Sequence, residues 1–202
     1  MCKPKVVVFD LGKVLLDFDY AKATSKMAPF CSVPETELHR IINQSPLLHR
    51  YETGLISTSD FFSEIQKLSS FCHDFHQFEP LFGDIFSPIP EMIELNRSLR
   101  SQRIFTAIFS NTNEMAVRHI TRSYSFFREF DHYIYSFQHR FMKPAAEIYR
   151  IVESTVNASG PEILYIDDRL ENVQTGEKIG WQTLHHTSPT TTIPIVQKLT
   201  RG

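Results

Sequence analysis

With 202 residues the chain has room for one domain, or a core domain with a smaller insertion, and a core of that size folds without disulfides or structural metal. Its 21 basic and 23 acidic residues are scattered and leave a formal charge of −2, which excludes the positive stripe needed to hold nucleic acid or an anionic membrane and favours a small polar partner. Cys2, Cys31 and Cys72 are odd in number and lack a Cys-x-x-Cys spacing, and no apolar run is long enough to span a bilayer, so the expected setting is a reducing cytoplasm.

The first predicted element is a strand over residues 5–9, a β-branched run that stops at Asp10, Leu11 and Gly12. Residues 19–90 then break the strand rhythm. Leu38, Ile41 and Ile42, and later Phe61, Phe62, Ile65 and Leu68, recur at helical spacing, and Ser57 with Asp60 has the spacing of a capping box. Gly54 supplies a turn before that helix, and Pro88 and Pro90 mark the way back to the main domain. Further short apolar runs at 104–109, 133–135, 163–166 and 183–184 are spaced widely enough for crossover helices, the pattern of a parallel sheet. Lys143 and Pro144 read as a loop entering a helix over 145–152, with the proline in its first turn and residues 157–161 closing it. Residues 190–192 read as a surface turn. His185 and His186, adjacent on a strand, would face opposite ways and are not read as a metal pair.

Four groups of residues therefore stand at predicted carboxyl ends of strands, the rim where open α/β sheets bind ligands. They are Asp10 with Gly12; Ser110, Asn111, Thr112 and Asn113; Lys143; and Asp167 with Asp168, followed by Asn172. Each has a plain structural alternative. Asp10 could cap a turn, Ser110 or Asn111 could cap the helix predicted near 114–120, and Lys143 could be solvated. Asp167 and Asp168 could cap a helix, although two adjacent like charges favour a bound cation.

In this order the groups resemble the four motifs of the haloacid dehalogenase-like hydrolases, over essentially the whole chain. The resemblance implies a Rossmann-like α/β fold, a parallel sheet flanked by helices, with residues 1–18 and 89–202 as core and 19–88 as a small inserted helical cap. It implies a Mg2+-dependent phosphohydrolase that works through an aspartyl-phosphate on Asp10. In that scheme Asp10, the Gly12 carbonyl, Asp167 and Asp168 form the metal site, with Asp167 standing behind the direct ligands. Ser110 and the backbone of Asn111 and Thr112 bind phosphate, Lys143 screens charge, and Asn113 and Asn172 support. The expected partner is a small phosphorylated metabolite, and the expected assembly a monomer or homodimer.

The Asp-Leu-Gly opening, the Ser-Asn-Thr-Asn segment and the stretch Tyr51 to Ser57 resemble the α-D-glucose-1-phosphatase-like branch, which points to a sugar phosphate. Lys13 replaces the asparagine usual there. Gly12 stands where most phosphatases of the family carry a second, acid–base aspartate, which leaves two other readings: a pseudo-phosphatase that binds phosphate esters, and a 2-haloacid dehalogenase. The paired acids at 167 and 168 weigh against the latter. Phe18, Tyr20, His49, Arg50, Tyr51 and Glu52 are the candidates for reading the rest of the substrate.

Overall fold

A computed structural model describes residues 2–200. Five strands form one parallel sheet: β1 (Val6–Phe9), β4 (Phe105–Ser110), β5 (His132–Tyr135), β6 (Ile163–Asp167) and β7 (Gln182–His185), in the order β5-β4-β1-β6-β7. Each lies within two residues of the run read from the sequence. β1 pairs with β4 on one side and β6 on the other, with Phe9 level with Ile108 and Ile166. Strand order therefore reverses at β1, and the carboxyl end of β1 opens into a crevice between diverging connections.

The side chains of β1 alternate between two cores, which is why all four of its residues are buried and apolar. Val7 and Phe9 join Ile108, Leu164 and Ile166 on one face, covered by Leu95, Leu99 and Val196 from helices Pro90–Ser101 and Pro189–Thr200. Val6 and Val8 join Phe109, Ile134 and Tyr165 on the other, beneath Ile148, Tyr149 and Val152 of helix Ala146–Val156 and beneath Trp181.

Between β1 and β4 the chain forms helices with an apolar cluster of their own, in which Met27, Leu38, Ile42, Tyr51, Phe61, Phe78 and Phe82 meet. Helix Thr58–Ser69 starts with the capping box read from Ser57 and Asp60. An antiparallel ribbon, β2 (Leu16–Phe18) with β3 (Phe86–Pro88), joins this segment to the sheet at both ends. The sequence reading missed the ribbon because each strand is only three residues long, too short for a period-2 pattern to register.

Two local expectations need correction. Pro144 does not enter the helix: it lies before the extended N-cap Ala145, joined to Lys143 by a cis peptide bond. Thr190, Thr191 and Thr192 belong to helix Pro189–Thr200, where Pro189 occupies the first turn and Val196 and Thr200 are buried.

The helical segment docks on the short helix Ser136–His139 that follows β5, with almost no slack at Gly54. Its φ of +72° suits glycine, and a Cβ there would lie 2.1 Å from the Phe137 carbonyl oxygen. Gly54→Ala is expected to destabilise the protein by about 2 kcal/mol or more, through strain and displacement of this contact. Thermal unfolding of the variant checks it, and an unchanged melting temperature would contradict this docking.

Candidate active site

β1 leads directly into Asp10, which is 7% exposed at the crevice. Its Oδ1 accepts the Leu11 N–H at 2.6 Å and a hydrogen bond from Lys143 Nζ at 2.9 Å. Lys143 arrives on the loop after the short helix Ser136–His139, and its side chain is 2% exposed. Nζ also donates to the Phe109 carbonyl at 3.0 Å and to Asp167 Oδ2 at 2.7 Å, so its three protons have three oxygen partners. Asn111 sets the lysine backbone: its amide donates to the Lys143 carbonyl at 3.0 Å and accepts the Lys143 N–H at 2.8 Å.

Asp167, at the end of β6, is fully buried. Its Oδ1 accepts from Arg169 N–H at 2.8 Å and Asn172 Nδ2 at 3.0 Å, and its Oδ2 accepts from Lys143, Asn172 and the Tyr165 hydroxyl. Burial alone would raise the Asp167 pKa, but Lys143 and these donors outweigh it and hold the carboxyl below its ordinary value. Asp168 points the other way in energy. Burial first, then the neighbouring Asp167 charge, push it up, and burial likewise raises Asp10 in spite of Lys143.

This excess of negative charge decides whether a cation fits. Asp10, Asp167 and Asp168 offer carboxylate oxygens within 4.8 Å of one another, and Lys143 is the one lysine paired to them among the described residues. The Gly12 carbonyl accepts no hydrogen bond among the described residues, and Gly12 lines one cavity with Asp10 and Asp168. A hard oxygen set with uncompensated charge suits Mg2+, and the residues present fit it.

Ser110, at the tip of β4, is 3% exposed, and its hydroxyl makes only a 3.4 Å contact to the Asn111 carbonyl. It is free to face an anion. The helix that follows, Glu114–Ser123, is capped by Asn113, whose side chain accepts the Ala116 N–H at 2.9 Å; neither Ser110 nor Asn111 caps it. The Thr112 N–H donates to Ser136 Oγ at 3.0 Å. Ser136 was not foreseen, since nothing near it in sequence marks a hydroxyl that bridges two segments.

Asp10, Ser110, Lys143 and Asp168 share one cavity of about 370 Å³, whose walls also carry Phe18, Tyr20, His49 and Glu52; Asp167 and Ser136 do not line it. Arg50 and Tyr51 lie outside it. Tyr51 is instead buried in the helical cluster, its hydroxyl bonded to Thr58 and accepting the Met115 N–H. His185 contacts the Asp168 carbonyl while buried His186 bonds Thr192, so the two histidines do part ways.

At Gly12 the ring of Phe18 stands 2.8 Å from where a Cβ would be. The position of the usual second aspartate is thus filled by an aromatic edge. Gly12→Asp alone is expected to cost about 1–3 kcal/mol by overpacking. Phe18→Ala in addition relieves the crowding. Melting curves for the single and double variants check this, and an unchanged melting temperature for Gly12→Asp alone would contradict it.

The model of a haloacid dehalogenase-like hydrolase family matches residues 4–180. A sesquiterpene phosphatase from Aspergillus oryzae is 24% identical over 200 residues, spanning 96% of both chains. A phosphorylated carbohydrates phosphatase from Thermotoga maritima is 24% identical over 185 residues, 90% of this chain and 84% of that one. The crystal structure of an enzyme of the same family from Bacteroides thetaiotaomicron, in complex with magnesium and inorganic phosphate, superposes with a TM-score of 0.80 at 19% identity, covering 90% and 93% of the two chains.

Proposed function

Given that the chain belongs to the haloacid dehalogenase-like hydrolases, we propose that it is a Mg2+-dependent phosphatase of small phosphate monoesters, with Asp10 as the nucleophile. The observation that carries this reading is the buried Asp10–Lys143 pair at 2.9 Å, set beside the uncommitted Ser110 hydroxyl and the charge-crowded Asp168 in one cavity.

The roles follow from the contacts. Lys143, fixed by Phe109, Asp167 and the Asn111 amide, holds a positive charge beside the carboxylate that must approach an anionic phosphoryl group. Ser110 hydrogen-bonds a phosphoryl oxygen. Asp10 attacks phosphorus in line and forms an aspartyl-phosphate, which water then cleaves. Asp10, Asp168 and the Gly12 carbonyl would hold Mg2+. When bound, that ion neutralises the carboxylates and draws charge from the phosphoryl oxygens. Asp167, whose oxygens are all taken by donors, acts behind these ligands by orienting Lys143, with Asn172 bracing it. The helical segment at 19–88 serves as a cap over the cavity, contributing Tyr20, His49 and Glu52 to substrate selection.

The two relatives named as phosphatases of sesquiterpene and carbohydrate phosphates support phosphoryl transfer over cleavage of a carbon–halogen bond. A sugar phosphate, the substrate class of the branch that the Asp-Leu-Gly and Ser-Asn-Thr-Asn motifs resemble, is the first to try. The test is release of p-nitrophenol from p-nitrophenyl phosphate, lost on chelation and restored by Mg2+. Binding of phosphate esters without turnover at saturating Mg2+ would replace the enzyme by a phosphate-ester-binding protein.

A further inference from the structure

An alkoxide leaving group needs a proton; Gly12 has no side chain to deliver it, and the Phe18 ring stands 2.8 Å from where a Cβ there would be. Asp10 is the proposed nucleophile and Asp168 a proposed metal ligand. The one remaining carboxyl side chain on the cavity wall, among the described residues, is Glu52.

Its placement follows from the helix that carries it. Ser45 caps helix Pro46–Glu52 by accepting the Leu47 N–H, and Pro46 occupies the first turn. Leu47, Leu48 and Tyr51 are buried, with Tyr51 stacked on Phe61 at 4.5 Å between ring centres. His49 and Glu52, three residues apart and so on one face, are left to line the cavity. The backbone of Glu52 is then tied to the phosphate-facing loop: its carbonyl accepts the Ser136 hydroxyl at 2.6 Å, and the same hydroxyl oxygen accepts the Thr112 N–H at 3.0 Å. Gly54, two residues on, fixes the exit against Phe137.

Among the described residues the carboxyl is held without a counter-charge. Tyr20 Oη lies 3.5 Å from Glu52 Oε1, and the Asn113 side chain also favours the charged form. Burial pushes its pKa up to about 7, against the pull of Tyr20 and Asn113, into the range where a carboxyl both gives and takes a proton. A carboxyl at the last residue of a helix, where the carbonyl ends converge, is biased the same way.

We propose that Glu52 protonates the departing alcohol and then serves as base for the attacking water, a role that rests on the phosphatase reading above. In the first step Asp10 forms its oxygen–phosphorus bond as the ester oxygen–phosphorus bond breaks. The electron pair goes to the ester oxygen, which takes the Glu52 proton, leaving an alcohol and an ionised Glu52. In the second step a water oxygen bonds phosphorus, the Asp10–phosphorus bond breaks with its pair returning to the carboxylate, and the water proton returns to Glu52.

The test compares Glu52→Gln with the wild-type protein on a primary alkyl phosphate and on p-nitrophenyl phosphate, whose leaving group departs without a proton. The alkyl kcat/KM is expected to fall by about 10²–10⁴, with the aryl value falling far less. An equal fall on both esters would overturn the assignment and make Glu52 a binding or packing residue. Glu52→Asp keeps a carboxyl and covers a glutamine variant that fails to fold: an alkyl-to-aryl ratio below the wild-type value supports the role, and an equal fall on both esters overturns it. If the wild-type protein turns over neither ester, the phosphatase reading itself fails, a result distinct from an altered ratio.

Discussion

Asp10→Asn is expected to lower phosphatase turnover by at least about 10³-fold, on the scale of removing a covalent nucleophile. The carboxamide is nearly isosteric and Leu11 N–H can still donate to its oxygen, so the fold survives. What is lost is chemistry. An amide oxygen cannot form the phosphoryl linkage, and the charge paired with Lys143 disappears at 2.9 Å. Steady-state kinetics with p-nitrophenyl phosphate, alongside a melting curve, separate the two effects. Substantial turnover in a folded Asp10→Asn protein would move the nucleophile elsewhere.

Lys143→Ala is expected to damage both stability and catalysis. Lys143 is the buried cation that Asp10 and the fully buried Asp167 share, and its removal leaves two carboxylates out of water with no compensating charge. Breaking a buried ion pair from one side costs about 3–5 kcal/mol, more than the pair contributes when intact, because the desolvation of the survivors is no longer offset. A bound Mg2+ would take over part of that compensation at Asp10 but not at Asp167, whose oxygens face protein donors. Denaturant unfolding with and without Mg2+ is therefore expected to show a deficit that Mg2+ only partly repairs. Turnover is expected to fall by about 10²–10³, the usual effect of removing one electrostatic stabiliser. A variant as stable as the wild type would mean that the carboxylates are protonated or solvated, not paired.

Much of this site was legible in the chain because of where parallel strands end. A β-branched run such as 6–9 can be buried on both faces only in a sheet covered by helices, and a polar residue immediately after it must sit at the rim. Asp10, Ser110 and Asp167 announce themselves by that position, and the structure brings them to the cavity or directly behind it. The contacts that decide how they work were not legible. The backbone of Asn111 reads as part of a phosphate loop, but nothing local shows that its side-chain amide clasps the backbone of Lys143, 32 positions away. Gly12 read as a missing acid, whereas the ring of Phe18 occupies that space by way of the short β2–β3 ribbon, which has no sequence period to betray it. Ser136 and Glu52 meet across 84 positions, a pairing set by how the helical segment packs. Such contacts depend on tertiary packing, to which local pattern is blind.

The central claim, that phosphorus becomes bonded to Asp10, is tested most directly by mixing the protein with substrate and Mg2+, quenching in acid within the first turnover, and reading peptide masses. A phosphoryl group on the peptide that contains Asp10, absent from the Asp10→Asn variant, is the predicted result. Turnover with no phosphorylated peptide under conditions where product release is complete, or a phosphoryl group on a different residue, would contradict it.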